Sequence, residues 1–219
     1  MERFGFNTEE LTYIQNFNPA DKNYWNNTDE LMTSIRKKIR EHFLSAQGYQ
    51  CCYCKMTKEE DHGLVWDIEH ILPRVLYPQF TFTPLNLAIS CRECNRSKWE
   101  NDIAIDCTQI KQTYISSSRN ISIIHPHFDD YHEHIQVIRY GENRLFHTAV
   151  DGSSKGRNTF HLCNLMRFLE KAFNPERQFK RELFNHIDAA LKETIEENSS
   201  PQEMSTIIKT AVNTAIRQY

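Results

Sequence analysis

The chain of 219 residues carries 26 basic and 29 acidic side chains, which gives a formal net charge of -3 at neutral pH. Hydrophobic residues make up 39% and charged residues 25% of a chain long enough to bury a core, and it lacks the run of about 18 apolar residues that a membrane-spanning helix requires. These values exclude a collagen-like or disordered chain, and they argue against nucleic-acid binding that depends on overall positive charge. Residues 1–5 do not resemble the start of a signal peptide, so we expect a cytoplasmic protein without a membrane partner, whose seven cysteines stay reduced.

The first fifty residues predict one helix. Residues 1–30 show weak periodicity, and we expect an irregular arm there. From Asp29 onward apolar residues recur every four positions, at Leu31, Ile35, Ile39 and Phe43. This period predicts a helix that is capped by Thr28 and ended by Gly48. The apolar stripe is expected to pack in the core against the segment that follows, with a docking surface as the alternative.

Two Cys-x-x-Cys pairs bound the middle of the chain. Cys51 and Cys54 form the first pair, and Cys91 and Cys94 form the second. Four thiolates can coordinate a tetrahedral Zn²⁺ at about 2.3 Å each, which leaves no open position and predicts a structural metal. Cys52 is expected to point away from it. The alternative is a set of reduced, partly buried cysteines without a metal.

The segment between the pairs predicts two strands and a helix. The strands are residues 64–70 and 86–91, and residues 95–100 are expected to open the helix. Glu69 and His70 fall at the end of the first strand. Asn95 directly follows a predicted zinc ligand, so the metal would fix where the helix begins.

These residues resemble a known family. Glu69-His70, Asn86 and the stretch Cys-Arg-Glu-Cys-Asn-Arg-Ser-Lys at 91–98 are similar to the HNH endonuclease family, in which an acidic residue and a His end one strand, an Asn opens the next and a helix carries His or Asn. The likeness is nearest to the HNH component of Septu and retron-type defence systems, which also has a Cys-x-Tyr-Cys knuckle and Glu-His-x-x-Pro. The motif covers about 50 residues.

The resemblance implies an α+β fold with a zinc-stapled ββα-metal core, and Mg²⁺- or Mn²⁺-dependent hydrolysis of phosphodiester bonds of DNA. His70 would be the general base, a role that suits an imidazole near its free pKa. Glu69 and Asn95 would bind the catalytic metal through oxygen. Asn86 would orient the His70 loop, and Lys98 would contact a phosphate, with a solvent-facing lysine as the alternative.

Several questions stay open at this level. Asp67 shares a strand face with Glu69 and is a further candidate ligand. A local basic cluster of Arg74, Arg92, Arg96 and Lys98 is offset by neighbouring acids. A partner could then supply part of the attraction for phosphate, which agrees with the ATPase partner and the antiviral role that the resemblance suggests. The alternatives are cleavage of RNA, such as a tRNA, by the same site, and a non-catalytic zinc-ribbon module that binds nucleic acid or protein.

The remaining segments offer weaker signals. The proline-rich loop between His70 and Asn86 carries three aromatic residues, which are expected to be buried or, alternatively, to stack a base. Four histidines, at 125, 127, 132 and 134, suggest either a second metal site or a turn into a hairpin of residues 134–140 and 144–150.

The last third predicts helices over residues 160–173, 175–197 and 201–217, whose leftover apolar face would suit a protein partner. We therefore predict three regions: an N-terminal arm and helix at 1–50, the nuclease core at 51–110, and a hairpin with helices at 111–219.

Overall fold

The computed structural model describes residues 4–21, 23–58, 65–106, 113–115, 117–140 and 144–172, with Thr206 and Thr210 as isolated positions. Helices and two small antiparallel hairpins form a mixed α+β structure. Among the described helices, none has the length and apolar character needed to cross a bilayer. The predicted helices at 175–197 and 201–217 lie outside the described residues, apart from the two isolated positions, and the division into three regions stays a prediction.

A short helix replaces the irregular arm expected at the N-terminus. Helix α1 spans Thr8–Gln15 and begins with a capping box: the Asn7 side chain accepts from Glu10 N at 2.9 Å, and the Glu10 carboxylate accepts from Asn7 N at 2.8 Å. The Asn-x-x-Glu spacing is a helix-start signal that the weak apolar periodicity concealed. Glu10 is buried and pairs with Lys38 Nζ at 2.6 Å, which ties α1 to the next helix.

Helix α2 spans Glu30–Ala46 and packs Ile35, Ile39 and Phe43 in the core, as predicted, whereas the fourth predicted core residue, Leu31, is only partly buried. The buried residues are Met32, Ile35, Ile39, Phe43 and Leu44. The expected cap was wrong: Asp29, not Thr28, accepts the hydrogen bond of Met32 N at 2.8 Å. An extended Asp29 places its carboxylate over the first turn, with the added benefit of a negative charge at the helix N-terminus.

The central unit consists of two strands and a helix. Strand β1 (Trp66–His70) pairs antiparallel with strand β2 (Leu87–Cys91), so that His70 lies opposite Leu87, and helix α3 (Arg92–Lys98) follows directly. Helices α2 and α3 each contact both strands. Asn86 lies in the short 3-10 turn Pro84–Asn86 before β2 rather than in the strand.

The expected start of α3 at Asn95 was wrong. The helix begins three residues earlier, at Arg92, with Cys91 at its N-cap. A spacing of three residues places two side chains on one side of a helical turn, so the second cysteine pair builds the first turn of the helix instead of preceding it.

A second hairpin and two helices complete the described fold. Strands β3 (Ile135–Tyr140) and β4 (Arg144–Ala149) agree with the predicted strands to within a residue at each end. Helices α4 (Ser154–Leu162) and α5 (Arg167–Ala172) replace the single helix expected from Phe160 to Phe173. The interruption falls at Asn164, whose φ of 47° cannot continue a right-handed helix.

Candidate metal centre and active-site cleft

Four buried cysteines form a cluster between the two knuckles. The sulfurs of Cys51, Cys54, Cys91 and Cys94 all lie within 4.8 Å of one another, and the Cys54 and Cys91 sulfurs are 3.8 Å apart. A tetrahedral zinc with bonds of about 2.3 Å requires sulfur separations of about 3.8 Å. The cluster could therefore hold a zinc ion. Cys52 is buried outside the cluster, as predicted.

Arg167, which no sequence signal indicated, contacts this cluster from helix α5. Its Nη2 donates to the Cys94 sulfur at 3.0 Å and lies 3.7 Å from the Cys91 sulfur, while Nη1 donates to the carbonyl oxygens of Cys163 at 2.5 Å and Asn164 at 2.7 Å. Burial alone would lower the pKa of Arg167, but the charge and hydrogen bond of Cys94 raise it above the ordinary value. Zinc with four thiolates carries a net charge of about -2, which this buried guanidinium would offset.

A cleft of about 340 Å³ opens beside β1. It is lined by residues 67–70 of β1, by Arg36 and Arg40 of α2, by Asn95 and Arg96 of α3, by Trp99, and by residues of the turns at Trp25 and Arg74. The structure thus brings Glu69, His70 and Asn95 to one cavity. Arg36 and Arg40 reach the cleft only through tertiary packing. They are distant in sequence from the motif, so the sequence did not indicate them.

The hydrogen bond of His70 decides which ring nitrogen can act as a base. Nε2 lies 3.1 Å from the carbonyl oxygen of Thr81. A carbonyl only accepts, so Nε2 carries the hydrogen and Nδ1 is the unprotonated nitrogen. Nδ1 has no hydrogen-bond partner among the described residues. Burial, aided by the charge of Arg74, lowers the pKa of His70 to about 3. The imidazole is therefore neutral at pH 7, but it is a weaker base than the free imidazole that the sequence prediction assumed.

Asn86 holds the loop that supplies this carbonyl. Its Oδ1 accepts from Leu72 N at 2.7 Å, and its Nδ2 donates to the carbonyl oxygens of Leu72 and Phe80, each at 3.2 Å. The side chain is fully buried. These three bonds join both ends of the loop after His70, and they fix the backbone next to Thr81.

Glu69 and Lys98 form a buried ion pair. Lys98 Nζ lies 2.7 Å from Glu69 Oε1 and 3.1 Å from the carbonyl oxygen of His70, and both side chains are 1% exposed. Tyr53, from the first cysteine knuckle, donates to the same Oε1 at 2.9 Å. Burial raises the pKa of Glu69 despite the opposing effect of Lys98. The phosphate contact expected for Lys98 from the sequence would require the ammonium to leave this pair.

Asn95 and Asp67 meet across the strand–helix contact. Asn95 Nδ2 donates to Asp67 Oδ2 at 2.8 Å. The Asn95 amide oxygen, Asp67 Oδ1 and Glu69 Oε2 have no hydrogen-bond partner in the described part of the chain. Asp67 and Glu69 share a strand face because side chains alternate along a strand. Carboxylate and amide oxygens are donors of the kind that Mg²⁺ and Mn²⁺ prefer.

The histidine-rich segment and the proline-rich loop, for which the sequence left two interpretations, pack against the rest of the structure. His125 Nε2 bonds the Tyr114 hydroxyl at 3.0 Å, and His127 Nε2 bonds the Leu87 carbonyl at 2.7 Å. Within the described ranges, the cysteine cluster is the one group of three or more His, Cys, Asp or Glu side chains close enough to share a metal. The loop aromatics Tyr77, Phe80 and Phe82 are buried, which confirms packing over base stacking.

Comparison with known proteins gives partial similarities. No family model matches the chain. A segment of 86 residues, 39% of the chain, is 33% identical to Protein ea31 of Escherichia phage lambda and covers 27% of that protein. A segment of 116 residues, 52% of the chain, is 28% identical to Septu protein PtuB of Bacillus thuringiensis and covers 39% of it. The matched region therefore spans well under half of either relative.

Proposed function

We propose that this protein is a metal-dependent HNH endonuclease that hydrolyses phosphodiester bonds of DNA. The observation that carries the proposal is the tautomer of His70: the Thr81 carbonyl keeps the hydrogen on Nε2, which leaves Nδ1 as a neutral base. This base lies in the same cleft as the oxygen donors of Asp67, Glu69 and Asn95. The strand–strand–helix order and the cysteine cluster support the same assignment.

In this proposal, His70 Nδ1 accepts a proton from the attacking water. Mg²⁺ or Mn²⁺ held by Glu69 and Asn95, with Asp67 as a further ligand, would supply positive charge for the phosphate and the leaving oxygen. Asn86 fixes the loop that orients His70. Lys98 pairs with one oxygen of Glu69 and so positions the carboxylate instead of contacting phosphate itself.

The biological setting is a further part of the proposal. The similarity to Septu protein PtuB supports an antiviral-defence effector. We infer that it acts with an ATPase partner, which would contribute to substrate capture by a chain whose net charge is -3. Co-purification of an ATPase with this protein from the native cell is the direct test of the partner.

The deciding experiment compares wild type with His70→Ala on plasmid, single-stranded DNA and total tRNA, with Mg²⁺ or Mn²⁺. Wild type is expected to cleave DNA, and removal of the base should slow cleavage about 10²- to 10⁴-fold. His161→Ala is the matched control, because His161 is exposed on α4, outside the cleft.

Cleavage that survives His70→Ala at full rate would remove this residue from the mechanism. Cleavage of tRNA alone would favour the RNA endonuclease. Binding of nucleic acid without cleavage under every condition, including with the co-purified partner, would favour the non-catalytic zinc-ribbon module.

A further inference from the structure

Arg40 is a cation on the wall of the cleft, and the Asp67 carboxylate acts on it only from beyond salt-bridge distance. Its guanidinium is half-buried, its Nε is inaccessible to solvent, and it forms no hydrogen bond or salt bridge among the described residues. Arg36 lies one helical turn earlier on the same face of α2 and also has no carboxylate within salt-bridge distance in the described chain; its Nη1 donates to the Trp25 carbonyl at 2.5 Å. Partial desolvation of a charge is costly without a partner. An anion from outside the chain could form ion pairs with both arginines.

Trp99 lies at the rim of the same cleft in an unfavourable backbone conformation. It follows the last residue of α3 with φ 49° and ψ -141°, and its side chain is 65% exposed. Glycine is the residue that suits a positive φ after a helix, because it has no Cβ. An exposed tryptophan at this position neither relieves the backbone nor fills the core. Tyr49 shares both features, so what points to a ligand is the place of Trp99 at the rim of the cleft, where its indole is accessible to a bound molecule.

We propose that the cleft binds a single-stranded segment of nucleic acid, with Arg36 and Arg40 contacting its phosphates and Trp99 stacking on an unpaired base. The inference takes its class of substrate from the proposed endonuclease function. Arginine suits phosphate because its planar fork can donate two hydrogen bonds. An indole face can stack on any base, but only where the base face is not already covered by its neighbours, as it is inside a duplex.

The local charge agrees with this ligand. Four arginines line the cleft, Arg36, Arg40, Arg74 and Arg96, against three acids, Asp67, Glu69 and Glu100. The cleft is therefore more positive than the chain as a whole, and a metal held by the acids would increase the difference. A backbone phosphate would meet the α2 arginines on one wall while its base reaches the α3 side.

Binding is measured separately from cleavage by using His70→Ala as the parent and fluorescence anisotropy with a labelled 20-nucleotide oligothymidine or a duplex of the same length. The added change Trp99→Gly is expected to weaken single-strand binding about 5- to 100-fold, the range of one lost stacking contact. The melting temperature should stay equal or rise, because glycine relieves the backbone. Trp99→Phe should restore part of the affinity.

Tyr49→Gly is the matched control. Tyr49 is a second exposed aromatic residue at positive φ, 56°, and it does not line the cleft. Its removal should leave the affinity unchanged. For the phosphate contacts, Arg40→Gln and Arg36→Gln should each reduce the slope of log affinity against log salt by about 0.7. Lys37→Gln, on the outer face of α2 with a side chain 72% exposed, should leave the slope unchanged.

The inference fails if Trp99→Gly binds the oligothymidine as tightly as the parent does. It also fails if the parent binds the duplex as tightly as the single strand and Trp99→Gly weakens both equally. In that case cleavage by wild type would still stand as evidence for the endonuclease. Conversely, a wild type that cleaves nothing under any condition, including with the co-purified partner, but shows the expected binding losses would contradict the endonuclease and leave the single-strand site.

Discussion

Arg167 connects helix α5 to the candidate zinc centre through the hydrogen bonds of Nη2 to the Cys94 and Cys91 sulfurs. Its Nη1 bonds two carbonyl oxygens of its own segment and so holds the side chain in place. Replacing it with methionine keeps the length and the apolar stem but removes the charge and the donors. We expect Arg167→Met to bind zinc about 10-fold more weakly, since partners of metal ligands commonly contribute 10- to 100-fold in affinity. Release of zinc to a colorimetric chelator measures this directly.

Arg157→Met is the control for this measurement, because Arg157 is exposed on α4. Zinc release from that variant should match wild type. An Arg167→Met protein that releases zinc at the wild-type rate would show that the guanidinium contributes packing alone. Zinc release from Arg167→Lys should fall between those of wild type and Arg167→Met. The lysine keeps the positive charge, but its ammonium lacks the planar fork with which arginine bonds sulfur and two carbonyls at once.

Residues that depend on local spacing were predictable, and those that depend on tertiary contacts were not. The four cysteines of the cluster follow from two pairs of closely spaced cysteines, and the candidate base His70 follows from the motif. Arg167 lies 73 residues after Cys94, and only the fold shows that they meet. The same holds for Arg36 and Arg40, which reach the cleft because α2 packs on both strands.

At the scale of elements, the N-terminal cap of α2 differs between the structure and the sequence prediction. Asp29 caps the helix through Met32 N and also accepts from the Tyr13 hydroxyl at 2.5 Å, which links α1 and α2. Asp29→Ala is expected to reduce the free energy of unfolding by about 1–2 kcal/mol, the usual contribution of such a cap. Urea unfolding at pH 7 measures the loss.

Thr28→Ala is the discriminating control, because Thr28 was the cap favoured by the sequence pattern and is exposed. Its substitution should change the free energy of unfolding by less than about 0.5 kcal/mol. The cap assignment would be reversed by a large loss at Thr28 and none at Asp29.

The first three helices show which features of a helix can be predicted from sequence patterns. Helix α2 has a strong apolar period, and three of its four predicted core residues are buried, while Met32 replaces Leu31 and the cap is displaced by one residue. Helix α1 has eight residues and weak periodicity, so its capping box was the sole signal. Helix α3 was placed too late because the metal knuckle was treated as a loop, whereas the spacing of Cys91 and Cys94 also fits a helical turn.

At the scale of the whole molecule, the cysteine cluster joins two segments that are distant in sequence. It brings the knuckle after α2 to the start of α3, although Cys54 and Cys91 are separated by 37 positions in the chain. The second hairpin attaches to the same knuckle, since His147 Nε2 lies 2.8 Å from the Cys54 carbonyl and Tyr131 donates to the Tyr53 carbonyl at 2.7 Å. Loss of the metal should therefore loosen both hairpins together.

We expect wild type to contain one zinc per chain and Cys54→Ser to contain little, as measured by elemental analysis. Closing a loop of about 40 residues contributes roughly 4 kcal/mol through chain entropy alone, which corresponds to a fall in melting temperature of about 10 °C for a chain of this size. Cys52→Ala is the control, because Cys52 is equally buried but outside the cluster, and it should keep its zinc. If Cys54→Ser keeps both its zinc and its melting temperature, the cluster is not the metal centre, and the fixed separation between β1 and α3 must come from packing instead.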